Sequence, residues 1–232
     1  QAERDSQLVL TEVLMQDTVD NHITRSLRLP SYKKWRSKIL PLRQAQRSPT
    51  HWGISPLDPV GSVLPRLEPG DRALIVGAGA ERAAYLLAAH DLEIQCLLGN
   101  TAQANRVEGK MASESLSGNF EAFVVMLGQW VPAQVGGPFH LVVMDAACLL
   151  ELPPERQRAL ILQTQQRTAP EGLHAVVSTD ADVAAEGCLQ HYPDWRRIQP
   201  PAQNGPSRTD GPSLRGVLLS GPAIRSTGLT SG

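Results

Sequence analysis

Gly77, Ala78, Gly79 and Ala80 stand between an apolar run, ALIV at 73–76, and the helical stretch ERAAYLLAAH at 81–90. Small residues there let backbone N–H groups approach a bound cofactor at a helix N-terminus. The chemistry this suggests is ligand binding by main chain rather than acid–base catalysis. A dinucleotide fingerprint needs a further glycine at position 82, where Arg82 stands, so a nicotinamide cofactor is not indicated. A tight strand-to-helix turn that needs small residues only for packing explains the same four positions.

Other side chains with chemical potential are scattered. Asp145, Asp180 and Asp182 fall at or just beyond the ends of apolar runs, where open α/β sheets bind ligands. Asp145 reads equally well as a cap on the turn before LPPERQR, and Asp180 and Asp182 as ordinary turn acids. His140 lies inside an apolar run and reads as a hydrogen-bonded, half-buried histidine; His51 lies beside Trp52 in a proline-rich loop. Cys148 opens a helix, a position that can lower a thiol pKa, although free cysteines in such places are mostly small buried hydrophobes. Cys96, Cys148 and Cys188 are widely spaced, so neither a disulfide scaffold nor a zinc site is expected, and no residue is assigned to metal binding or to catalysis.

The elements that must position these groups are legible from periodicity. From Gly70 onward apolar runs alternate with helical stretches: RALIVGA, ERAAYLLAAH, LEIQCLLG, AQANRVEGKMASES, FEAFVVMLG, FHLVVMDAA, PPERQRALILQTQQRTA and GLHAVVSTD. The runs are continuous rather than alternating, as in sheets covered on both faces. The order predicts an α/β fold with a doubly wound, mostly parallel sheet, preceded by an N-terminal helical and basic extension. Three segments are expected: the extension at 1–48, the α/β domain at 49–199, and a loop-rich tail at 200–232 with one last strand at LRGVLLSG. Within the extension, residues 6–29 read as amphipathic helix. Prolines at 30, 41, 49, 56, 59, 65 and 69 limit the following stretch to short helical pieces.

A second stretch is more specific than the glycine turn. GPFHLVVMDAACLLELPPERQR, residues 137–158, resembles the fourth strand and following helix of the class I S-adenosylmethionine methyltransferases. Within them it is most similar to the thiopurine and tellurite-resistance methyltransferase group, with its GxFDLVxDRxALxALPPExR pattern. The resemblance covers about residues 50–180 and implies a Rossmann-like fold. It places S-adenosylmethionine around Gly77, Ala78, Gly79 and Asp145, with Trp52 of THWGISP in the position of a tryptophan that lies over the cofactor. An aromatic anchor packing the approach segment onto the core is the alternative for Trp52.

Departures from the pattern fall in the same pocket. Ile75 stands where most of the class has an acid before the first glycine, and Leu98 where a carboxylate accepts hydrogen bonds from the ribose. Ala146 replaces the arginine of the DR pair, and Glu81 takes the third glycine position of the methyltransferase turn. A leucine leaves buried ribose hydroxyls unpaired, at about 1–3 kcal/mol each. These losses favour a methyltransferase-like protein that has lost catalysis and serves as an accessory subunit of a larger assembly, with no cofactor. The alternative is a divergent S-adenosylmethionine-dependent methyltransferase acting on a small thiol or related nucleophile, largely by proximity and orientation.

Composition sets broad bounds. The chain has 232 residues, 41% of them hydrophobic, and a net charge of −1, so charge as a whole does not argue for nucleic acid or membrane. Its distribution is uneven. Arg25, Arg28, Lys33, Lys34, Arg36, Lys38, Arg43 and Arg47 lie between Asp20 and Asp58 with no acid among them. The extension and the tail are therefore expected to grip other protein subunits, and residues 25–47 are candidates for contact with nucleic acid or anionic lipid. No apolar run is long enough for a transmembrane segment and residues 1–20 do not read as a signal peptide, so an intracellular protein is expected.

Overall fold

A computed structural model describes residues 32–179, 185–198 and 214–222, with Met15, Thr18, Val19, His22 and Ser26 before them. Asp180 and Asp182, most of the amphipathic stretch at 6–29 and most of the tail lie outside the described residues. The chain divides into two units, 1–45 and 46–232.

In the larger unit the apolar runs become strands β1 (Arg72–Val76), β2 (Glu93–Leu98), β3 (Phe120–Val124), β4 (Phe139–Asp145) and β5 (Thr168–Ser178). Two further strands, β6 (Arg196–Ile198) and β7 (Arg215–Ser220), complete one seven-stranded sheet in the order β3-β2-β1-β4-β5-β7-β6. β1 to β5 pair in parallel, and β7 runs antiparallel to β5 and to β6. The fold class is thus α/β, doubly wound and mostly parallel, as the sequence predicts. The chain order reverses between β1 and β4, which opens a crevice beyond the carboxyl ends of these strands.

Side-chain alternation divides the core into two layers. Ala73 and Ile75, Ile94, Cys96 and Leu98, and Leu141 and Val143 pack with α3 (Glu81–Ala89) and α4 (Thr101–Ser113). Leu74 and Val76, Leu97, Val142 and Met144 pack with α5 (Ala146–Leu150) and α6 (Pro154–Gln165). Both faces of the sheet are therefore dry, which is why the strands read as unbroken apolar runs. In α6, Pro154 opens the helix, where its missing N–H is no loss, and Gln157, Leu160, Ile161 and Thr164 form the buried face at helical spacing.

The proline-rich stretch departs from expectation. Tyr32–Gln46 is one helix, α1, of 15 residues that runs through Pro41, followed only later by the short α2 at Pro59–Val63. Proline at an interior position removes one intrahelical hydrogen bond and crowds the carbonyl four residues before it, yet the helix continues through Pro41. β6 is also absent from the sequence reading, because three residues of which two are arginines carry no strand signal.

One buried polar network supports the far edge of the sheet. Thr168 Oγ1 donates to Thr164 O at 2.8 Å, so its lone pair accepts from His174 Nε2–H at 2.8 Å; Nδ1 then accepts from the Tyr192 hydroxyl at 3.0 Å. His174 is fully buried, and its ring lies tilted against that of Trp195, centroids 4.3 Å apart. Burial holds the imidazole neutral, pulling its pKa down to about 3. Below its unfolded value of about 6.5 the unfolded chain takes up a proton that the folded chain refuses. Stability is therefore full above that pH and falls by about 1.4 kcal/mol per unit as pH drops toward the folded pKa. Denaturant titrations at several pH values between 7.5 and 4.5 should show a slope steeper by that amount in the wild type than in His174→Gln; equal slopes would refute the assignment.

Candidate functional site

The crevice at the β1/β4 switch point is a cavity of about 520 Å³, within the range of roughly 300–1,000 Å³ typical of small-ligand sites. Ala78 and Asp145, two of the five residues singled out from the sequence, line it. So do residues that sequence reasoning missed: Asn100 and Gln103 at the start of α4, Met126 after β3, and Glu151 and Arg156 around α5 and α6. The missed polar residues follow strand ends and helix starts, and that position was the one signal that could have marked them. Gly77, Gly79 and Trp52 are not among the lining residues.

The turn after β1 is built around Asp145. The Asp145 carboxylate, 7% exposed, accepts from the Gly79 N–H at 2.9 Å through Oδ2 and from the Ala147 N–H at 3.1 Å through Oδ1. The second bond caps α5, the role that the sequence left open beside a ligand role. Burial raises the Asp145 pKa, opposed by these backbone donors. Gly77 has φ 89° and ψ 154°, a conformation that favours glycine, and a β-carbon there would meet the Asp145 and Cys148 β-carbons at 2.7 and 2.9 Å. A β-carbon on Gly79 would stand 2.5 Å from Asp145 Oδ2. Both glycines thus make room for the carboxylate at the end of β4, and the Gly79 amide is already paired.

At the end of β2, where the resemblance expects a carboxylate, the chain has Leu98. Leu98 is 1% exposed and belongs to the apolar layer that contains Ala104 and Val107 of α4. An aspartate substituted there would be buried among apolar side chains, so it is not a simple restoration of a binding acid. Beyond it, Asn100 Oδ1 accepts from Gln103 N at 2.9 Å and Gln103 Oε1 accepts from Gly99 N at 3.2 Å. Both amide carbonyls are spent on the N-terminus of α4, and the two side chains have their NH₂ groups left to donate.

Cys148 lines the crevice, but its thiol is not activated. Burial and the nearby Asp145 and Glu151 carboxylates raise its pKa to about 12, the reverse of the lowering that a helix start suggested. The helix α5 has only five residues, too short for its dipole to offset the loss of solvation. Glu81 is not among the lining residues and pairs with Arg106 of α4 at 2.8 Å, and Ala146 is fully buried in the other apolar layer.

Trp52 sits against α3. It is 8% exposed, its ring lies 5.4 Å from that of Tyr85, and its Nε1 donates to Gln46 O at 2.6 Å. His51 is exposed, edge-on to Trp52 at 4.7 Å. The approach segment is further tied down by Gln46 donating to the Glu114 carbonyl and carboxylate, and by Arg47 on Ala89 O and Asp91. His140 is at the opposite end of the sheet from the crevice, half-exposed, accepting from Arg72 N at 3.1 Å and 3.4 Å from Asp71. No group of three or more potential metal ligands occurs among the described residues.

Comparison with solved structures bears on the fold alone. N-methyltransferase NodS from Bradyrhizobium japonicum aligns over 84% of this chain and 99% of its own, with a TM-score of 0.52 at 14% identity. TehB from Haemophilus influenzae aligns over 69% of this chain and 60% of its own, with a TM-score of 0.51 at 16% identity. The fold is that of the methyltransferases. A candidate sarcosine dimethylglycine methyltransferase from Galdieria sulphuraria also matches, over 51% of this chain at 19% identity and a TM-score of 0.43. This chain spans only 44% of that protein's length, and 60% of TehB's. No family model matches the sequence, and no curated protein matches it. Among the described residues no helix is long and apolar enough to cross a membrane.

Proposed function

We propose that this chain is a divergent S-adenosylmethionine-dependent methyltransferase that binds its cofactor in the β1/β4 crevice and methylates a small thiol or related nucleophile. The observation that carries the reading is the crevice itself, which is open, of ligand size, and lined by Ala78 of the small-residue turn and by Asp145 of the stretch that resembles the thiopurine group. When bound, the sulfonium would supply an activated methyl group. Ala78, Asn100, Gln103 and the 125–127 segment would hold the cofactor, and Asp145 would keep the glycine turn in shape beneath it. Cys148 stays protonated at neutral pH and so does not compete as a methyl acceptor. Asp145 is committed to the Gly79 and Ala147 amides, so the chain's contribution is chiefly orientation for in-line displacement.

A second reading, a non-catalytic subunit, draws support from Leu98 and from the Gly79 amide already paired with Asp145. One calorimetric experiment separates the two. Titration with S-adenosylmethionine and S-adenosylhomocysteine should give a dissociation constant below about 1 mM, equivalent to about −4 kcal/mol. Gly99→Phe is expected to abolish it: Gly99 lines the crevice and a β-carbon there meets nothing closer than Gln103 Oε1 at 3.8 Å, so a side chain can start from this position without a clash, and an unchanged unfolding midpoint would check that the variant is folded. Absence of binding at millimolar ligand would remove the enzyme reading. Binding unaffected by Gly99→Phe would place the ligand elsewhere.

A further inference from the structure

A second cavity, of about 410 Å³, lies at the amino ends of β1, β2 and β3, at the opposite end of β1 from the crevice. Arg72 and Glu93 begin β1 and β2 as register partners, and Gln95 of β2 stands beside Glu121 of β3. All four line the cavity, together with Asn119 and Phe120. Its volume is within the range of small-ligand sites.

Gln95 is the anomaly in this wall. It is 8% exposed, and its Oε1 is the one buried side-chain nitrogen or oxygen without a hydrogen-bond partner among the described residues. Nε2 donates to Glu121 Oε2 at 2.9 Å, and because a carboxylate only accepts, that contact fixes which end of the amide is nitrogen. A buried carbonyl of this kind favours whatever donor can reach it. The charges around it select the donor. Arg72 is occupied: Nη1 donates to Gly137 O at 2.9 Å, Nε lies 3.5 Å from the Glu93 carboxylate, and the guanidinium lies over the Phe139 ring. Glu121 forms no ion pair among the described residues, so two carboxylates and a carbonyl oxygen face one cation that is already paired. An anion would be repelled by Glu93 and Glu121, and an apolar molecule would leave Oε1 unpaired. A cation with N–H groups satisfies both.

We propose that this cavity binds a small organic cation, a primary amine or guanidine, whose N–H groups donate to Gln95 Oε1 and to the Glu121 and Glu93 carboxylates. Ammonium and guanidinium groups carry several donors and no acceptor, which matches a wall of acceptors. A metal ion fits less well, since no group of three or more potential metal ligands occurs among the described residues. The site lies at the far end of β1 from Gly77, so it takes its ligand independently of whether the crevice holds S-adenosylmethionine.

The test is calorimetric titration of the full chain, at fixed ionic strength, with agmatine, which carries one ammonium and one guanidinium group, beside succinate and butanediol as an anion and a neutral molecule of similar length. Agmatine is expected to bind with a dissociation constant below about 1 mM, and the other two not to bind. Glu121→Gln should weaken binding by about ten-fold through loss of a charge-assisted bond, and Gln95→Leu by at least about as much. Gln95→Leu should also keep or raise the unfolding midpoint, because it removes a buried acceptor that the ligand-free protein leaves unpaired. Glu121 is exposed, so Glu121→Gln carries the test if Gln95→Leu does not fold. Gly99→Phe should leave agmatine binding intact, which separates this site from the crevice. Absence of binding at millimolar agmatine would overturn the proposal, as would equal binding of succinate or butanediol, or binding that survives either Glu121→Gln or Gln95→Leu. Loss of agmatine binding in folded Gly99→Phe would move the cation into the crevice and overturn it as well.

Discussion

Gly77→Ala is expected to lose about 3–5 kcal/mol of stability, the sum of left-handed backbone strain and overpacking. The new methyl would lie 2.7 Å from the Asp145 β-carbon and 2.9 Å from that of Cys148, atoms fixed by β4 and α5 rather than ends of flexible side chains. Backbone must therefore move. Gly79→Ala meets the Asp145 carboxylate instead, at 2.5–2.7 Å, and that group can be removed genetically. In an Asp145→Ala background the Gly79→Ala penalty should shrink by about 1–3 kcal/mol, read by chemical denaturation as a double-mutant cycle. If the glycine is small only for a ligand's sake, both backgrounds would give the same small penalty without ligand.

Trp52→Ala carries the second large effect, about 3–5 kcal/mol, because a buried indole leaves a void beside Tyr85 that the helix cannot close. Trp52→Phe should cost less, since most of the apolar area stays and the lost term is the Nε1 hydrogen bond to Gln46 O. The same pair of variants separates an anchor from a cofactor lid. An anchor lowers the unfolding midpoint of the ligand-free protein, whereas a lid lowers affinity for S-adenosylmethionine and leaves the midpoint in place.

The elements easiest to read were those whose signal is local. ALIV, EIQCLL and LVVM are covered on both faces, so their burial shows as unbroken hydrophobicity. PPERQR announces α6 because proline and an acid are favoured in a first turn. Harder cases had weak or conflicting local cues. Pro41 argued against a helix that nevertheless runs through it, and β6 is too short and too basic to register. Cys148 misled for a different reason: a helix start and a buried acidic neighbourhood shift a thiol in opposite directions, and only the fold shows how near Asp145 and Glu151 lie.

The succession of β1 to β5 with helices between them, the open sheet and the small-residue turn at 77–80 follow from the sequence by itself, because periodicity and backbone preference act over a few residues. What the turn is for does not. Gly79 and Asp145 are 66 positions apart, and their meeting depends on β1 and β4 being neighbours in the sheet. Tertiary structure alone decides that the glycines shelter a carboxylate, that Leu98 faces the apolar layer, and that Asn100, Gln103 and Arg156 surround the crevice, because each of these rests on residues brought together by strand pairing.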